Sequence, residues 1–172
     1  VTSWASEIID GDDSIARQWL RKGSSGWRLD VANEVSDETW RAFRKTVKAE
    51  GDNAIIGEIW TDASNYILGD MYDSVMNYRF RTAVLNYVKG TQDDNVSVVT
   101  AKDSMNELEK MREQYPREAL EAMMNLVGSH DTQRVISALD GYQKSKRGFA
   151  EEPTATAKAK MRLIPFLQMT YI

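Results

Sequence analysis

The 172-residue chain contains no cysteine and one histidine, His130. Without a thiol it has no disulfide, no thiolate zinc or iron–sulfur site and no cysteine nucleophile. A single histidine leaves any metal centre dependent on carboxylates. No apolar run approaches the roughly 18 residues needed to span a bilayer. Val1-Thr2-Ser3-Trp4 does not open the basic and then apolar pattern of a secretion signal. Positive charge is also short: 22 Lys and Arg against 26 Asp and Glu leave a net charge of −4 and a pI near 5.1. The basic face of a nucleic-acid footprint is therefore not expected, nor is a membrane partner, and neutral or small-molecule partners fit better.

What is present reads as an ordinary soluble globular chain, 42% hydrophobic, with the compartment left open. A chain of about 150 residues buries roughly 70% of the surface its unfolded form exposes, so one domain with a sizeable core is expected. A complete (β/α)8 barrel typically needs about 250 residues, more than this chain has.

Hydrophobic spacing and punctuation outline the elements. Asp13 or Ser14 caps a short helix over 15–22 that Gly23 stops. The run 26–31 reads as a strand. Ser36 caps the next helix, with Asp37 and Glu38 in its first turn, a Trp40, Phe43 and Val47 stripe, and Gly51 at its end. Residues 54–60 form an apolar strand broken by one carboxylate, and 72–77 a weaker one. Helices follow over 80–89, closed by Gly90, and 102–115, stopped by Pro116. A strand is expected over 123–128, a polar loop over 142–152, and a helix over 154–171 that Pro165 should kink or break. Strands alternating with helices imply parallel βαβ units, and strands this apolar suit a parallel sheet covered on both faces.

Three acidic residues, Asp30, Glu58 and Asp131, are expected where strands end. In α/β barrels those carboxyl ends form the active-site face. Two carboxylates flanking a scissile bond are the equipment of a glycoside hydrolase. Glu58 suits the proton donor, because Ile56, Ile59 and Trp60 supply apolar bulk that disfavours a bare charge. Asp30 suits the nucleophile, because Arg28 lies two residues away on the same strand face and keeps it ionised.

Residues 26–35 (GWRLDVANEV), 57–60 (GEIW), 73–78 (DSVMNY) and 125–132 (NLVGSHDT) resemble consecutive signature segments of the α-amylase superfamily, glycoside hydrolase family 13. The VANE and EIW variants are similar to the neopullulanase, cyclomaltodextrinase and maltogenic amylase branch. The resemblance implies the C-terminal half of a (β/α)8 barrel, about strand 4 to helix 7. The family's first signature segment, an Asp with an Asn-His pair, has no counterpart here. It implies Asp30 as nucleophile, Glu58 as general acid and then base, and Asp131 as stabiliser of the distorted sugar. His130 would donate to a hydroxyl and Arg28 would orient the nucleophile. Asn33, Glu34 and Trp60 would face the sugars beyond the cleavage point. Asp30 and Glu58 carboxyl groups about 5 to 5.5 Å apart would be expected. The implied reaction is retaining hydrolysis of α-1,4 glucosidic bonds, alone or together with α-1,6, in cyclodextrins, pullulan or starch-derived oligosaccharides, without a cofactor, a calcium requirement being left open.

Plainer readings stand beside these. Arg28 with Asp30 is also what an internal ion pair looks like, and Glu58 could be a strand-end carboxylate paired to a lysine. The Ser129-His130-Asp131 run is not a serine-hydrolase triad, because adjacent residues on a strand end point in different directions. Asp10-Gly11-Asp12-Asp13 lacks the alternating ligands and distal glutamate of a calcium loop and reads as a capping turn. Trp4, Trp19, Trp27 and Trp40 read as core or packing residues, and Trp60 as either packing or a sugar-stacking platform. The competing functional class is a non-catalytic half-barrel that binds glucan or assembles with another through open barrel edges.

Overall fold

The computed structural model describes residues 3–90, 99–140 and 152–171. Along them run α1 (Ser3–Ala5), a π-helical turn (Ser6–Asp10), α2 (Ile15–Arg21), β1 (Gly26–Leu29), a 3-10 turn (Ala32–Glu34), α3 (Asp37–Ala49), β2 (Ala54–Gly57), a second 3-10 turn (Ser64–Tyr66), β3 (Ser74–Val75), α4 (Tyr78–Lys89), α5 (Ala101–Gln114), α6 (Arg117–Glu121), α7 (Val135–Leu139) and α8 (Ala155–Thr170). The strands pair in the order β1-β2-β3, all parallel. Gly26 to Leu29 lie opposite Ala54 to Gly57, and Ile56 and Gly57 lie opposite Ser74 and Val75. Parallel neighbours need a crossover, which α3 supplies between β1 and β2. Two compact units result, one of Val1–Met76 with Tyr115–Met124, the other of Asn77–Gln114 with Asn125–Ile172.

In the first unit α3 forms as its sequence demands. The Ser36 hydroxyl accepts the Thr39 N–H, Asp37 and Glu38 occupy the positive first turn, and Trp40, Phe43 and Val47 are buried. Phe43 meets Trp27 and Trp40 edge-on at 6.0 and 5.8 Å, and Trp40 meets Tyr72 at 5.8 Å. Trp4 and Trp19 depart from the packing role expected of them, being 53% and 55% exposed, with Lys22 over the Trp19 ring. Ser14 sits at the N-cap of α2, but its hydroxyl donates to the Ile9 carbonyl and leaves the helix amides alone.

Asp73, just before β3, ties that unit together. Its carboxylate accepts from Arg44 and Lys48 at 2.7 Å each and from the Ile55 N–H at 2.9 Å. Burial alone would push this carboxyl up, but Lys48, Arg44 and the Ile55 amide outweigh it and hold it below the ordinary carboxylate range. A carboxylate depressed in the folded state contributes stability that is complete above its unfolded value, about 3.9, and is lost as pH falls through the folded value. Asp73→Asn is therefore expected to lower neutral-pH stability by about 1–2 kcal/mol after solvent screening. It should also flatten the loss of stability as pH falls below the unfolded value, about 3.9. Urea denaturation at a series of pH values checks both; an unchanged acid slope would show that Asp73 is not the group responsible.

In the second unit Asn77 caps α4, its Oδ1 accepting the Phe80 N–H at 3.0 Å while its Nδ2 donates to Asn125 at 2.8 Å. Gly90 closes α4 in the left-handed conformation. The Ser104 hydroxyl ties α5 to the Ala83 carbonyl. Three expectations change here. The strand foreseen over 123–128 is reduced to one parallel bridge, Met124 with Met76 in the first unit. Pro165 does not break α8, which runs through it; the missing amide frees only the Met161 carbonyl. The short helices α6 and α7 were not foreseen, because five residues carry too little periodicity to register. The loop foreseen over 142–152 lies, apart from Glu152, outside the described residues.

Candidate active site

β1 ends at Leu29 and β2 at Gly57, so the first residues past the two strands are Asp30 and Glu58. The ladder does not stop cleanly. The Glu58 N–H still donates to the Leu29 carbonyl at 2.9 Å, but the Glu58 carbonyl accepts from Ala32 at 3.2 Å, where regular parallel pairing would offer Val31. The β1 side thus carries one residue too many opposite Glu58, a β-bulge of the kind that re-aims side chains. Val31 takes up the excess in the left-handed region, φ 42° and ψ 49°. Its N–H, turned out of the ladder, donates to Glu58 Oε2 at 3.1 Å.

Arg28 joins the two acids. One guanidinium nitrogen bonds Asp30 Oδ1, the other sits 2.9 Å from Glu58 Oε1, and Nε faces the Met76 sulfur at 3.4 Å. The side chain of Asp30 is 74% exposed and that of Glu58 5%. One cation therefore holds an open carboxylate and a buried one, and different surroundings for paired acids are what separate their chemical roles. Arg28 was expected to serve Asp30 alone. Glu58 is lined by more than apolar bulk, since Ile59 is buried but Trp60 is half-exposed and both carboxylate oxygens have donors.

Close packing behind the acids fixes the strand ends. A Cβ on Gly57 would lie 3.0 Å from the Tyr72 ring, so a larger residue there would push that ring back by a few tenths of an ångström from β2. The Tyr72 hydroxyl and the Trp40 indole both donate to the Ala32 carbonyl, at 3.2 and 2.7 Å. Burial pushes the Tyr72 phenol up, keeping it a donor.

The other candidates lie nearby or in the second unit. Asn33 and Glu34 are exposed on the 3-10 turn after Val31, and Trp60 is 46% exposed two residues past Glu58. In the second unit His130 Nε2 lies 3.2 Å from Asp131 Oδ2, both exposed. Asp131 sits on a turn, not at a strand end: its N–H donates to the Ser129 hydroxyl, which also accepts from Tyr78. Ser129 is thus bound into the turn. Among the described residues no group of three His, Cys, Asp or Glu side chains is placed to hold a metal ion. Val31 and Met76 were missed by sequence reasoning, since nothing in a Val-Ala pair announces a bulge and Met76 is 48 residues from Arg28.

A parallel α/β chain with a cation-bridged pair of carboxylates at its strand ends has the layout of a barrel hydrolase's working face. Comparison with known proteins makes the family specific. The alpha amylase catalytic-domain profile matches residues 5–167. Neopullulanase 2 of Thermoactinomyces vulgaris is 40% identical over 159 residues, covering 92% of this chain and 24% of that protein. A cyclomaltodextrinase of a Bacillus species is 40% identical over 158 residues, covering 91% and 25%. The solved type III pullulan hydrolase of Thermococcus kodakarensis superposes with a TM-score of 0.78 at 32% identity, covering 88% and 25%. The chain belongs to the α-amylase superfamily, glycoside hydrolase family 13, in the branch of neopullulanase, cyclomaltodextrinase and maltogenic amylase. It spans about a quarter of the length of these relatives.

Proposed function

We propose that the chain carries the reacting groups of a retaining glycoside hydrolase acting on α-1,4 glucosidic bonds, alone or together with α-1,6, of cyclodextrins, pullulan or starch-derived oligosaccharides. On this reading it corresponds to strand 4 to helix 7 of a (β/α)8 barrel. The observation that carries the proposal is the Arg28 bridge between open Asp30 and buried Glu58. Asp30 attacks the anomeric carbon and Glu58 protonates the departing oxygen. A glycosyl ester forms on Asp30, and Glu58 then takes a proton from the water that cleaves it. Arg28 orients the nucleophile. Asp131 and His130 are assigned the hydroxyls of the reacting glucose, and Asn33, Glu34 and Trp60 the neighbouring sugars.

A fluorinated glucosyl inhibitor that traps the covalent intermediate should, in the protein that contains this chain, add its mass to the peptide bearing Asp30. Labelling elsewhere would sink the assignment. Residues 1–172 alone are expected to turn over cyclodextrin or pullulan weakly or not at all.

The second reading, a non-catalytic half-barrel that binds glucan or associates with another, draws on Leu163, Phe166 and Met169, exposed at 54%, 65% and 80% on α8. Sedimentation discriminates: concentration-dependent association without turnover favours it, and a monomer counts against it.

A further inference from the structure

We infer that the bulge at Asp30–Val31 is a positioning device for Glu58, in which the Val31 peptide N–H, displaced from the ladder, holds the Glu58 carboxylate and senses its charge. Two independent features converge on this. First, regular pairing would spend the Val31 N–H on the Glu58 main-chain carbonyl; the bulge gives that carbonyl to Ala32 and redirects the Val31 amide to the Glu58 side chain. The same residue thus receives two consecutive amides, one on its backbone and one on its carboxylate.

Second, Val31 adopts a conformation that a β-branched residue avoids, φ 42°, while 42% exposed, so its own side-chain burial does not explain it. Such a conformation persists only where the surroundings over-determine it. They do so at Ala32, fully buried, whose N–H is held by Glu58 and whose carbonyl takes both the Trp40 indole and the Tyr72 hydroxyl. The aromatic core thereby locks the bulge, and the locked bulge aims an amide at a buried acid. Oε2 is committed to Val31 and Oε1 to Arg28, which also bonds Asp30.

Val31 touches Glu58 and not a reacting atom, so it is a positioning residue. Its importance for catalysis rests on Glu58 being the proton donor; the device itself does not. The test is NMR titration of the 172-residue chain with labelled backbone amides and glutamate carboxyl carbons. The Val31 amide should shift with the midpoint of the Glu58 carboxyl, continue to do so in Asp30→Asn, and lose that transition in Glu58→Gln. Incorporating the hydroxy-acid analogue of valine at position 31 replaces the Asp30–Val31 peptide bond by an ester and deletes the donor without changing any side chain. It should raise the Glu58 midpoint by about one pH unit. Val31→Gly keeps the N–H and accepts a positive φ, so it should leave the midpoint in place. A Val31 amide that follows only Asp30, or an ester that does not move Glu58, overturns the inference. None of these readouts needs turnover, so a failed turnover assay counts against the functional reading alone.

Discussion

On the proposed function, Asn in place of Asp30 is expected to lower kcat by on the order of 10⁴-fold or more, the scale on which removing a covalent nucleophile acts. The Asp30 side chain is open to solvent and oriented by Arg28, so substrate can reach it. An amide of the same shape keeps an oxygen for Arg28 but cannot form the glycosyl ester. Glu58→Gln should cost less, about 10²- to 10⁴-fold, the range of general acid–base catalysis, and its loss should depend on the leaving group. An aryl glucoside whose phenolate departs unassisted still forms the ester, while its hydrolysis lacks a base. A burst of phenolate followed by slow turnover is the expected trace in Glu58→Gln, with no burst in Asp30→Asn. A burst in Asp30→Asn would refute the nucleophile, and equal losses on all substrates in Glu58→Gln would refute the proton donor.

Trp40→Ala should be the most damaging change outside the acids. The indole is 9% exposed, packs edge-on against Phe43 and Tyr72, and donates to the Ala32 carbonyl. Removing a buried aromatic of this size costs about 3–5 kcal/mol through lost burial and the cavity left behind. That is a large part of the roughly 5–15 kcal/mol that holds a domain folded. Trp40→Phe keeps most of the ring volume and deletes the N–H alone, with an expected cost of about 1–2 kcal/mol. Chemical denaturation of both variants checks the order; near-equal losses would mean that the hydrogen bond, not the packing, carries the site. Both variants loosen Ala32, so they should also weaken the Val31 grip on Glu58.

How much was legible beforehand differs by element. The cap, the acidic first turn and the Trp40, Phe43 and Val47 stripe announced α3 because each of its signals is local. The runs 26–31 and 54–60 announced β1 and β2, although both stop earlier, at Leu29 and Gly57. The apolar run 123–128 looks the same in sequence yet contributes one bridge, since a strand exists only where a neighbour offers its ladder. Pro165 failed as a helix breaker because one lost hydrogen bond is offset by the packing of its helix, whose Ala157 and Ile164 are buried.

The candidate site divides the same way. Residue types and order alone made Asp30, Glu58 and Arg28 candidates, because two carboxylates and a neighbouring cation are a chemical inventory carried by the chain itself. The family followed from the order of four short segments. Which carboxylate is buried and which open, that Arg28 reaches both, and that Val31 leaves the ladder to bind Glu58 were decided only by tertiary structure. Burial, a shared ion and a bulge depend on which strand lies beside which, and each β1 residue pairs with a β2 residue 28 positions further along the chain. Charge and spacing are properties of one segment, whereas the environment that turns an acid into a nucleophile or a proton donor comes from other segments folded against it.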